Sequence, residues 1–108
     1  MGNRFSGFGG GGANMQAMMR QAQKMQQDAM RAKEELESTV FEGSASGGLV
    51  KVQVNGKLEM LSLSIDSSVV DPDDVEMLED LVVASYNDAL AKVETAKSSK
   101  LGAFGGLI

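Results

Sequence analysis

Six of the ten residues from Asp71 to Asp80, in the stretch DPDDVEMLED, are carboxylates. Clustered carboxylates can hold a divalent cation or divide acid and base work across a glycosidic bond. A calcium loop of the EF-hand kind needs alternating acids, a central Gly and a distal Glu. Pro72 and the lack of Gly in this stretch break that pattern. Pro is favoured at the first position of a helix, so Asp71 reads as its N-cap with Asp73 and Asp74 in the first turn. Glu76, Glu79 and Asp80 then point outward, away from any pocket that would tune them for catalysis. The chain has no His and no Cys, and Tyr86 is its one tyrosine. Imidazole and thiolate ligands and nucleophiles are therefore absent, and no nucleophile–base pair is visible. No catalytic residue, metal site or cofactor is expected.

The basic residues carry a different chemistry. Arg20, Lys24 and Arg31 fall within about 40° of one another on a helical wheel. Gln16, Gln23 and Gln27 lie beside them. Lys and Arg neutralise phosphates, and Gln can donate to phosphate oxygens. A plain solvated helix face would show the same three charges, so the ridge alone does not assign a function.

The element that carries the ridge is long. Asn14 reads as its N-cap. Met15, Met18, Ala22, Met25, Ala29, Ala32 and Leu36 then follow at spacings of three and four, a heptad seam on the opposite side. No Gly or Pro interrupts Asn14 to Ser38, which predicts a helix of roughly 36 Å. TVFEGSA (39–45), LVKVQV (49–54) and KLEMLSLSI (57–65) read as strands. SGG (46–48) joins the first pair, and Asn55-Gly56 reads as a two-residue hairpin turn with positive φ. Val50, Val52 and Val54 share one face, as do Leu61, Leu63 and Ile65. A second helix follows Asp71 and runs to about Ser99. Val75, Leu78, Leu81, Val82, Ser85, Ala89, Val93 and Ala96 form its inward stripe.

The expected fold is α+β. A long N-terminal helix, a three-stranded antiparallel sheet and a C-terminal helix follow in the order α-β-β-β-α. One domain spans 14–99, with a flexible Gly-rich tail at 1–13 and a flexible C-terminal tail at 100–108. The first helix is longer than strands of five to seven residues can cover, so its half from Met15 to Met25 should project. Met15, Met18, Met19 and Met25 would then need a second chain, which points to a homodimer or a partner helix.

Charge bears on the partner. The net charge is −5 over 108 residues. Residues 1–57 hold seven Lys/Arg against five Asp/Glu, and residues 58–108 hold three against ten. The opening MGNRFSGFGGGGAN lacks the apolar core of a signal peptide, and no run approaches the roughly 18 apolar residues of a membrane span. A soluble, cytoplasmic chain with no membrane attachment is the expectation. The absence of Cys fits a reducing compartment.

Three segments together carry a resemblance. GGLVKVQVNGKLEMLSLSID, VVDPDDVEMLEDLVVASYNDALAK and MQAMMRQAQKMQQDAMRAKEELE resemble the YbaB/EbfC family of bacterial nucleoid-associated proteins, over roughly residues 14–98. The resemblance implies a small homodimer with an α-β-β-β-α protomer and a tweezer-like outline. It implies binding to double-stranded DNA with little sequence preference, and a role in nucleoid organisation or gene expression. The projecting helices would bind, which points to Arg20, Lys24 and Arg31, and to Lys92, Lys97 and Lys100 near the end of the second helix. Asn55, Gly56, Asp71, Pro72, Asp74, Leu78 and Glu79 match the family signature and map onto turns and caps. A dimer would carry −10, twice −5, so binding should be weak and steeply salt-dependent. The alternative is a protein-interaction adaptor or chaperone-like module, using the Met-rich helix and the acidic second helix on a protein partner.

Overall fold

The computed structural model describes the backbone of residues 2–102 and the side chains of residues 14–102. Five main elements follow in order: α1 (Gly2–Ser38), β1 (Val40–Ala45), β2 (Val50–Asn55), β3 (Met60–Ile65) and α2 (Val75–Leu101). The strands form one antiparallel sheet in the order β1-β2-β3. Val40 pairs with Asn55 and Ala45 with Val50 across the first ladder. Val50 pairs with Ile65 and Val52 with Leu63 across the second, which shifts register between Gln53 and Val54. The expected α-β-β-β-α order and antiparallel sheet are both present.

The core lies between the sheet and α2. Val50, Val52 and Val54 are fully buried, and Ala89 and Val93 of α2 pack on the last two. Small residues let the layers close up. A Cβ on Gly43 of β1 would overlap the Ser85 carbonyl oxygen and the Ala89 nitrogen, so only glycine lets α2 lie this near the strand. A second cluster joins the two helices, with Ala32 and Leu36 of α1 against Leu101 of α2. The heptad seam of α1 thus enters the core only from Ala29 onward.

Three local readings are corrected. Asn14 does not start α1, which begins at Gly2. Asp71 does not cap α2. Its carboxylate accepts from Asp73 N–H at 2.9 Å, and its carbonyl accepts from Asp74 N–H at 3.0 Å. Pro72 presets the second position of that turn and disfavours helix at the residue before it. The cap is Asp74, whose Oδ1 accepts from Met77 N–H at 3.2 Å, and Val75 at the helix start is exposed. Asn55-Gly56 is not a two-residue turn either. Leu58 N–H bonds to the Asn55 carbonyl, and Asn55 N–H to the Glu59 carbonyl. The positive φ, +67°, falls on Leu58. Glycine is needed at 56 for another reason: a Cβ there would overlap the Leu36 carbonyl oxygen at the end of α1. Residues 100 and 101 of the expected C-terminal tail belong to α2, Gly102 caps it, and 103–108 lie outside the described residues.

Candidate nucleic-acid interface

From Asn14 to Gln27, α1 stands clear of the other described residues. Every side chain from Asn14 to Gln27 is exposed, a stretch of about 20 Å of helix. The protein has a radius of gyration of 24.0 Å and extents of 90 × 16 × 16 Å, against the roughly 13 Å radius of a compact chain of this length. The expected projection of Met15 to Met25 is therefore present. Met15, Met18, Met19 and Met25 are all exposed, Met18 at 68%.

Arg20 and Lys24 are exposed on this arm and Arg31 just beyond it, and among the described residues none of the three lies within ion-pair distance of a carboxylate. The three lysines of α2 sit differently. Lys92 Nζ donates to the Glu42 carbonyl at 2.6 Å and lies 3.8 Å from Asp88. Lys100 Nζ pairs with Glu35 Oε2 at 2.8 Å and ties the end of α2 to α1. That hydrogen bond and the lysine charge hold the Glu35 carboxyl below its ordinary value of 4.5. Lys97 makes no such pair and borders an open concavity with Lys33 and Lys57. Arg20, Lys24 and Arg31 share one helix line, and the α2 lysines belong to the body of the molecule.

Two features escaped the sequence. Lys33, Lys57 and Lys97 lie far apart in the chain and meet only because α1, the β2–β3 loop and α2 converge. No local periodicity signals that. The apolar face of β3 is the other. Leu63 and Ile65 stand directly opposite Val52 and Val50 and so share their sheet face. Yet Leu61, Leu63 and Ile65 are exposed at 51%, 43% and 36%. Strand spacing explains this: one helix about 10 Å across covers two strands set about 4.8 Å apart, not three. The free edge of β1, by contrast, is dressed by α2, since Asp88 accepts from Ser44 N–H at 3.0 Å and Lys92 reaches Glu42. The acidic stretch from Asp71 to Asp80 stays on the outside, and no group of three carboxylates among the described residues converges on a metal-sized point.

Known proteins resemble this chain in fold or in sequence. A crystal structure of an uncharacterized protein from Helicobacter pylori has the same fold, with a TM-score of 0.62 and 24% identity, covering 76% of this chain and 86% of that one. A nucleoid-associated protein of Clostridium novyi is 54% identical over 93 residues, spanning 84% of this chain and 82% of the relative. One from Acetivibrio thermocellus is 47% identical over 105 residues, spanning 94% and 93%. The sequence profile described as the YbaB/EbfC DNA-binding family matches residues 10–107. With the profile covering nearly the whole length and the relatives 47–54% identical over most of it, the chain belongs to the YbaB/EbfC DNA-binding family.

Proposed function

We propose that this protein binds double-stranded DNA as a homodimer, with little sequence preference, through the basic ridge of α1, and that it does so in the nucleoid. The observation that carries the reading is the ridge itself: three exposed cations on one line of α1, without an ion-pair partner among the described residues, of which Arg20 and Lys24 stand on the projecting part and Arg31 where the helix meets the core. From Arg20 to Arg31 the ridge spans about 16 Å, and a duplex presents a phosphate on each strand about every 3.4 Å. Gln16, Gln23 and Gln27 add neutral donors along it. Such groups grip the backbone and carry little sequence information. The names of the Clostridium novyi and Acetivibrio thermocellus relatives support the nucleoid as the setting. Lys97 is a secondary contact. Lys92 and Lys100 would have to leave Glu42 and Glu35 to join it.

The uncovered face of β3 supports the dimer. Leu61, Leu63 and Ile65 form a floor. Val83 and Leu90 of α2 lie within about 60° of Tyr86 on the helix, and the Tyr86 hydroxyl donates to the Leu58 carbonyl beside β3. Floor and wall suit a second copy. The Met15, Met18, Met19 and Met25 surface then becomes the contact between the projecting arms. In this reading Leu63→Glu yields a monomer by sedimentation, and an unchanged dimer rules the β3 contact out. Arg20→Glu with Lys24→Glu weakens duplex binding while circular dichroism stays unchanged. Equal affinity in that variant removes the ridge from the account.

A further inference from the structure

We propose that the concavity where α1, the β2–β3 loop and α2 converge is a second phosphate-binding site. It takes backbone phosphates through Lys33, Lys57 and Lys97. The proposal rests on the DNA-binding reading and extends it to a surface that the ridge does not include.

The concavity measures about 270 Å³ and is open to solvent. Its three lysines come from three different elements and face a single carboxylate there, Glu37. Glu35 is engaged by Lys100 at 2.8 Å, and Glu34 and Glu59 line the adjoining concavity on the other side of Lys57. Among the described residues neither Lys33, Lys57 nor Lys97 has a carboxylate partner within ion-pair distance. The lining of this concavity thus carries three cations against one carboxylate in a chain whose total is −5. Its floor is Leu36 and Leu101, both buried. An apolar floor lowers the local dielectric and strengthens attraction for an anion.

The walls are held in place. Gly56 abuts the Leu36 carbonyl so closely that no side chain fits between them. The Asn55 carboxamide oxygen accepts from Lys57 N–H at 2.9 Å and from Glu59 N–H at 3.1 Å. Lys57 thus springs from an ordered loop. Helix dipoles give a simpler reason for lysines here, since α1 and α2 both end at this junction. Dipole attraction fades within the last turn, and Lys33 lies five residues before the end of α1. It does not account for all three cations. Lys33 also lies about 180° around α1 from Lys24. The site therefore meets a stretch of backbone other than the one lying along the ridge.

The test is duplex binding over a salt series for the variant Lys33→Gln with Lys57→Gln and Lys97→Gln. Each phosphate contact contributes about 0.9 to the log–log salt slope, so the slope should fall by about one or more and return in the matching Lys→Arg variant. A role confined to helix ends would lower thermal stability and leave the slope alone, and an unchanged slope overturns the proposal. If the triple variant does not fold, Lys57→Gln alone carries the same comparison, because Lys57 is exposed on a loop. Inorganic pyrophosphate titrated into isotope-labelled wild-type protein separates this site from the DNA reading. If the wild type fails to bind duplex, that reading falls. Pyrophosphate-induced shifts at the Gly56 and Lys57 amides would then still support the anion site, and their absence would overturn it.

Discussion

Glycine 43 shows how one residue sets the distance between layers. Its missing side chain is what lets α2 settle on β1 over Ser85 and Ala89. Gly43→Ala should destabilise the protein by about 1–3 kcal/mol or more, the usual scale of overpacking, read as a lower denaturation midpoint. A neutral result would mean that the helix sits further off the strand. Glu35 makes a second residue-scale statement. Its folded pKa is depressed by Lys100, so the pair stabilises above the ordinary value of 4.5 and that contribution is lost as pH falls through the lowered value. Asp66, depressed from 3.8 by hydrogen bonds from Ser68, behaves in the same sense in a lower window. Both carboxylates are exposed, so the effects are small. Stability measured against pH should lose part of its acid-side slope in Glu35→Gln. An identical profile would mean that the pair contributes nothing in solution. At this scale the sequence was legible where local chemistry decides, as with the valines of β2. It was misleading at Gly56, where the reason for glycine is contact with Leu36, twenty residues away.

Among the elements, the sheet and both helices could be read from periodicity, because alternation and heptad spacing report the type of element and which of its sides is apolar. Their boundaries followed rules that compete locally. At the start of α2, Asp71 and Asp74 both have cap chemistry, and the turn through Pro72 took the first and left the second for the helix. The start of α1 poses the opposite problem. Six of the twelve residues from Gly2 to Ala13 are glycine, each less favourable in a helix than alanine by about 1 kcal/mol. Amide exchange over residues 2–13 should therefore be much faster than over Ala29 to Leu36, which pack into the core. Equal protection would mean that another chain holds the N-terminal turns. The exposed face of β3 was invisible to pattern reading for a related reason. Alternation gives the apolar face of a strand and does not say whether a helix is wide enough to cover it.

For the whole molecule, charge distribution matters more than the total. The acidic stretch from Asp71 to Asp80 lies at the start of α2, and the basic arm is the N-terminal part of α1. The arm was legible as one helix line. The Lys33, Lys57 and Lys97 cluster was not, because only the tertiary fold assembles it. The most direct test of the central claim is fluorescence anisotropy of a labelled duplex of about 30 base pairs, with wild type and Arg20→Glu/Lys24→Glu compared across a salt series. The account predicts wild-type binding that weakens linearly on a log–log salt plot, by about 0.9 per phosphate contact, and a shallower, weaker line for the variant. No wild-type binding even at about 50 mM salt, the low end of the usual range, would contradict it.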